Sequence, residues 1–425
     1  MNLILSTPLE VRLVVLFVLG ACVGGAVNWA IYSLAWYPRP ISPWSRPDPA
    51  APPRRFSDRL PVVGWLGLRR ESSLHGAGFW VRPMSIEVFA GLGLAWLYWW
   101  EVGAAGLLPA GIAQMQISSP PVQQILHLQF AAHSVLIALM LAGSMIDVDE
   151  KIIPDEITVL GTLAGLLLAA AWPWSLLPVV AFAEIPPALD FLHVTSPNDW
   201  PARLGGAPWI GPLAVGLGCW WLWCAALLPR TWYRRHGLLR AVRLCCARMV
   251  RERTTYRILR MAVFGSAVVV LVWFRGGSGW EGLLGALVGM AAGGGLIWLV
   301  RVIGSATLGR EAMGFGDVTL MAMIGAFLGW QPCMVIFFLA PLAGVAVGLL
   351  RLIVLRDKEI PYGPFLCLAT LFTIVFWNGV WDYTQDVFGM GWLVPAAMLV
   401  CLMLMAAMLG AWRMILVVLG GLTSR

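Results

Sequence analysis

Charge is the first thing this sequence lacks. Only 12% of its 425 residues are Asp, Glu, Lys or Arg, where an ordinary soluble domain carries about 25%. Hydrophobic residues make up 60%, against roughly 45–50% in such a domain. So little charge cannot cover a water-facing surface of this size, which excludes a soluble globular enzyme, and the same figures exclude a disordered chain. Lysine is nearly missing: Lys151 and Lys358 are the only two, so the net charge of +7 rests on arginine. In a membrane chain that surplus marks topology and lipid-headgroup contact before nucleic acid.

Paired metal-binding cysteines are lacking too. The eight cysteines form no CxxC pair, and most lie inside apolar runs, where Cys behaves as a small hydrophobe. Neither a disulfide framework nor a zinc site follows. No HExxH pair, GxSxG elbow or Cys/His couple is visible. Leu19-Gly20-Ala21-Cys22 looks like a lipoprotein cleavage box, but a cleaved signal is followed by polar sequence. Here the apolar character continues to Tyr37, so the run reads as a retained first span.

What the sequence has is long apolar runs, at 11–32, 84–107, 122–146, 157–174, 210–228, 258–274, 283–303, 318–329, 334–355, 365–377 and 394–419. They predict an all-α fold, a polytopic membrane helical bundle of about ten or eleven spans. The run at 318–329 is short and reads as a tilted or partial span. Basic residues gather at 46–82, 230–260, 301–310 and 351–358, while the loops at 109–121, 174–208 and 382–391 hold almost none, Arg203 excepted. An outside N-terminus and eleven spans put every basic cluster on the cytoplasmic side. The arginines of 230–260 read as a surface helix on anionic lipid, without the interleaved aromatics that nucleic acid would call for. Gly285, Gly289 and Gly293, and separately Gly344 and Gly348, place small residues on one helix face for close packing.

Ionisable side chains are costly near a bilayer, which singles out two segments at span boundaries. One is Asp147-Val148-Asp149-Glu150-Lys151-Ile152-Ile153-Pro154-Asp155; the other is Gly314-Phe315-Gly316-Asp317. The threading puts Asp147 and Asp317, remote in sequence, on one face at one depth. Two facing carboxylates share a proton and titrate as a pair. The ionised member draws a proton from water while the other donates to a carbonyl oxygen, which is the minimum equipment for peptide hydrolysis. Asp149 and Asp155 also fit a simpler role, Asp155 as a helix N-cap after Pro154. His127 and His133, six apart in one span, share no helix face and read as packing or hydrogen-bonding residues. A proton-coupled transporter is the alternative from another class; it calls for inverted repeats and acids at the midplane.

Asp147-x-Asp149-x4-Pro154-Asp155, followed by Glu311-Ala312-Met313-Gly314-Phe315-Gly316-Asp317, resembles the type IV prepilin peptidases, membrane aspartic proteases of the GxGD class. Four further stretches agree in order: Asn28-x-x-Ile31-Tyr32, then 58–68 with Arg82-Pro83 and Glu87, then 325–330, then Ile360-Pro361-Tyr362-Gly363-Pro364-Phe365. The resemblance implies a bacterial inner-membrane enzyme that cleaves the basic leader of prepilins or type II secretion pseudopilins at the cytoplasmic side. Asp147 and Asp317 would be the catalytic pair and Gly314, Phe315 and Gly316 the loop; Asp149, Pro154, Asp155, Glu87 and Glu311 would support them. The peptidase needs no cofactor and no metal. Many members also methylate the new N-terminus with S-adenosylmethionine, and Glu87 would help bind substrate or methyl donor. This chain departs from the family by lacking CxxC pairs in 41–83, so a peptidase without methyltransferase activity is a second alternative. Thr319 stands where the family often has lysine.

On this reading residues 1–40 hold the first span, 41–83 a cytoplasmic loop subdomain and 84–174 the membrane core with the first aspartate. Residues 175–280 are an inserted region with two extra spans, 281–380 the core with the second aspartate and 381–425 a C-terminal span. Prepilin-like substrates and membrane lipid are the expected partners, with no nucleic acid; oligomeric state is left open.

Overall fold

The computed structural model describes residues 7–109, 120–181, 188–228, 252–309, 311, 313–354 and 361–423. The arginine cluster between 230 and 251, Glu184 and Lys358 lie outside the described residues. The long helices are α1 (Leu9–Ser33), α2 (Val81–Tyr98), α3 (Pro120–Glu150), α4 (Asp155–Ala171), α5 (Ile210–Ala226), α6 (Arg253–Arg275), α7 (Gly277–Leu308), α8 (Phe315–Leu328), α9 (Trp330–Val354), α10 (Gly363–Val375), α11 (Trp377–Gly389) and α12 (Leu393–Thr423). Every apolar run of the sequence coincides with one of them, and the chain is an all-α polytopic membrane protein. Among the described residues five helices are long and apolar enough to cross a membrane, or six with α10 and α11 counted as one bent span. The 14 residues of α8 reach only about 21 Å, short of a hydrocarbon core of about 30 Å.

Two elements depart from the reading of the loops. Residues 382–391, expected as a loop, belong mostly to α11, which bends 93° from α10. Trp377, Trp381 and Phe388 bury one face while the intervening polar residues face out, so the helix is amphipathic and escapes a search for apolar runs. Within 174–208, β1 (Pro178–Ala181) and β2 (Ala188–Phe191) form an antiparallel hairpin. Side chains from the bundle cap its carbonyls: Trp377 Nε1 donates to Pro178 (2.7 Å) and Gln129 Nε2 to neighbouring Leu176 (3.2 Å).

Helix α8 is buried all round from Asp317 to Leu328. Between lipid-embedded helices close packing replaces the hydrophobic drive, and the sequence supplies it with glycine. Gly289 of α7 and Gly325 of α8 meet backbone to backbone, so a Cβ on either would collide with the other's carbonyl. Gly293 lies against Met321, while Gly161 and Gly165 of α4 accept Met323 and Phe327. A second pairing joins α1 to α2, where a Cβ on Gly20 would sit 2.7 Å from the Ala90 carbonyl oxygen.

The loop before α2 is tied by arginine. Arg54 donates to Glu71 (3.1 and 3.0 Å) and to the carbonyls of Pro40, Ser42 and Ser45 (2.8, 2.6 and 3.1 Å), and Arg70 clamps Asp58. His133 meets Glu101 at 2.8 Å, both fully buried, and His127 meets Tyr98 and the Gln123 carbonyl, in keeping with hydrogen-bonding roles.

Candidate active site

Asp147 stands one turn before the end of α3. The helix runs to Glu150 and breaks at Lys151, whose φ of +56° is left-handed. At about 100° per residue, Asp149 points roughly opposite to Asp147, and Glu150 returns to within about 60° of it. The contacts follow this wheel. Asp149 turns to α2, where Arg82 holds both its oxygens (2.9 and 2.8 Å). Glu150 turns to the segment after α1 and accepts the backbone N–H groups of Trp36 (2.5 Å) and Tyr37 (3.3 Å). Pro154, with extended backbone, holds the N-cap of α4; Asp155 is the first helical residue and not the cap expected of it.

Asp317 sits in the first turn of α8, where the helix dipole favours an anion. Gly314 is the N-cap, and the residues before it are anchored from α7. There the buried Arg301 donates from Nε to the Met313 carbonyl (2.8 Å), binds Glu311 and lies over the Phe315 ring, 5.7 Å from its centroid.

The two loops meet. A Cβ on Gly316 would stand 2.9 Å from Ile153 Cβ, and one on Gly363, at the start of α10, 2.6 Å from Asp147 Oδ2. Only residues without a side chain allow these approaches. Asp147 and Asp317 open into one cavity of about 1260 Å³, are 5% and 7% exposed, and interact electrostatically. Asp147 Oδ2 has no hydrogen-bond partner among the described residues. Gly314, Phe315, Gly316, Pro154, Asp155 and Glu311 line the same cavity. Tyr362 lines it as well; burial, aided by the charge of Asp317, pushes its phenol up to about 12.

Asp149 and Glu87 are not brought to this cavity. Glu87 is buried under the loop before α2, accepting from Trp65 Nε1 (2.8 Å), Val62 N (2.5 Å) and Asn28 Nδ2 (3.2 Å). Sequence reasoning missed Arg301 and Glu150. An arginine inside an apolar run, as Arg301 is, was a signal for the first; Glu150 stood in the acidic segment already singled out, but its role was hidden because its partners are backbone groups distant in sequence.

Residues 250–349 match the type IV leader peptidase family. The segment includes α7, α8 and the glycine loop with Asp317, so this part of the chain is similar to the family that its motif resembles; Asp147 lies outside the matched residues. The prepilin leader peptidase/N-methyltransferase of Aeromonas hydrophila is 34% identical over 104 residues, 24% of this chain and 34% of that protein. Those of Pseudomonas aeruginosa, 37% identical over 93 residues, and of Burkholderia pseudomallei strain 1026b, 34% over 97, are matched over 21% and 22% of this chain and 30% and 31% of their own. The chain thus spans about a third of the length of these relatives. No solved structure matches.

Proposed function

We propose that this chain is a membrane-embedded aspartic endopeptidase that removes the basic leader of prepilins or type II secretion pseudopilins at the cytoplasmic face of a bacterial inner membrane. The observation that carries the reading is the meeting of Asp147 and Asp317 in one cavity, the second within the matched segment and the first brought there only by the fold.

A pair of buried carboxylates in one cavity holds one proton between them. The ionised carboxylate takes a proton from a water, whose oxygen bonds to the scissile carbonyl carbon. The protonated carboxylate donates to the carbonyl oxygen, and collapse of the tetrahedral species with proton transfer to nitrogen releases the amine. Tyr362 stays neutral at physiological pH and is a donor for the developing oxyanion. Six carboxylates (Asp147, Glu150, Asp155, Glu156, Glu311 and Asp317) and Lys151 line the cavity, a net acidic field suited to a basic peptide. Sidedness rests on the cations beside the two aspartate segments: Arg82 pairs with Asp149, two residues from Asp147, and Arg301 holds the loop before Asp317, as the positive-inside rule asks.

Methyl transfer is not part of this proposal. The second cavity, about 390 Å³ beside Trp29, Trp44 and Arg59, has Glu87 as its acid. Glu87 spends both oxygens on the protein, and a sulfonium donor would sit beside the Arg59 guanidinium, so these residues do not fit S-adenosylmethionine. Mass spectrometry of a prepilin incubated with the purified protein and S-adenosylmethionine tests both points. Loss of the leader with no added methyl mass is expected; an uncut prepilin overturns the peptidase reading.

A further inference from the structure

The segment joining α1 to the loop subdomain takes no part in the chemistry above, yet it forms one wall of the cavity. Leu34, Ala35 and Trp36 line the space that holds Asp147 and Asp317. The segment leaves α1 by a turn in which the Arg39 N–H returns to the Tyr32 carbonyl (2.9 Å). Glu150 then fixes it: Oε2 accepts from Trp36 N at 2.5 Å and Oε1 from Tyr37 N at 3.3 Å, each a hydrogen bond to a charged acceptor. Because Glu150 follows Asp147 by three residues on one helix, this grip holds the wall to the catalytic turn. The Trp36 side chain is 73% exposed at the mouth of the cavity, and the Tyr37 side chain 72%. A large aromatic ring kept in the open beside a carboxylate-lined cleft costs little entropy to order and offers apolar area to a chain that docks there.

We propose that Trp36 contacts the bound substrate peptide at the mouth of the cavity, and that Glu150 is a positioning residue that holds the Leu34–Trp36 wall against the turn carrying Asp147. This rests on the peptidase reading, and it extends the substrate site to a part of the chain remote from the matched segment.

The test is steady-state cleavage of a prepilin in detergent micelles by the full chain, with Trp36→Ala, Trp36→Phe, Glu150→Gln and Asp147→Asn as variants. Loss of a contact shared by ground and transition states raises KM and spares kcat. Trp36→Ala is expected to raise KM about five-fold or more with kcat within about two-fold, and Trp36→Phe to restore most of the loss. Glu150→Gln keeps the shape but has one acceptor oxygen in place of two, so one of the two N–H groups loses its partner, and its KM is expected to rise in the same direction. Trp36 is an exposed loop residue, so its replacement leaves the fold intact even where a Glu150 variant fails to fold. If Asp147→Asn abolishes cleavage while Trp36→Ala keeps the parental KM, the ring is only a membrane anchor and this inference is overturned, with the peptidase reading standing. If Asp147→Asn cleaves like the parent, both fall.

Discussion

Gly363 lies so close to the Asp147 carboxylate that a Cβ there would stand 2.6 Å from Oδ2. The late turn Pro361-Tyr362-Gly363 thus sets where the first aspartate points. Gly363→Ala pushes that carboxylate aside without touching Asp317. Misplacing a reacting group by about 1 Å costs on the order of 100-fold in rate. The variant is expected to lose that much kcat while eluting from a sizing column like the parent; parental kcat would show that the approach has no bearing on the chemistry.

Arg301 fixes the second aspartate from behind. Its guanidinium ties the Met313 carbonyl and Glu311 to α7, two contacts that a planar fork makes and a point charge does not. Arg301→Met is expected to lower kcat by about ten-fold or more through a loosened loop, and Arg301→Lys to recover only part of it. Equal rates for the Met and Lys variants would contradict this anchoring.

Tyr362 provides a pH prediction. Its phenol is raised to about 12, first by burial and then by the charge of Asp317, so it remains protonated well above neutrality. Tyr362→Phe removes a donor and is expected to lower kcat by roughly 10–100-fold. The ratio of parent to variant rates stays nearly constant between about pH 9 and 11, where an unperturbed phenol, at about 10, would lose most of its protons and this one does not. A ratio that falls toward one across that window would place the phenol's titration within it.

Asp58 makes the loop subdomain sensitive to acid. The Arg70 hydrogen bond, helped by the Arg55 N–H, holds its carboxyl below the usual carboxylate value. The folded value is depressed, so the stabilisation is complete above the unfolded value of about 4 and is lost as pH falls through the folded one. Asp58→Asn is expected to speed proteolysis of residues 41–83 at pH 7, and the gap between variant and parent to narrow as the pH falls below about 4. A gap that is the same at both pH values would show that the pair contributes nothing.

Much of this was legible beforehand because bilayers impose long apolar runs, and each run coincides with a helix. Two things were not. Helix α11 alternates Trp377, Trp381 and Phe388 with polar residues, so it presents a face and not a run. The β-hairpin rests on carbonyls capped by Trp377 and Gln129, partners that no local pattern announces. At the site, the motif around Asp317 and the acidic segment at Asp147 were readable as chemistry costly near lipid. Their meeting was readable only through topology. Asp149 shows the limit: its spacing from Asp147 is visible, but its turn toward Arg82 comes from the packing of α2 against α3. Glu87 similarly looked like a ligand residue, and packing makes it an acceptor for three donors of the N-terminal region.

The central claim is that Asp147 and Asp317 act as one catalytic unit. The most direct measurement is the single-turnover cleavage rate of a prepilin by the parent, Asp147→Asn, Asp317→Asn and the double variant, all in the same detergent. Residues that act as a unit are not additive, so each single variant is expected to fall as far as the double one, by about 1000-fold or more. A single variant that cleaves at the parental rate, or two losses that multiply in the double variant, would contradict it.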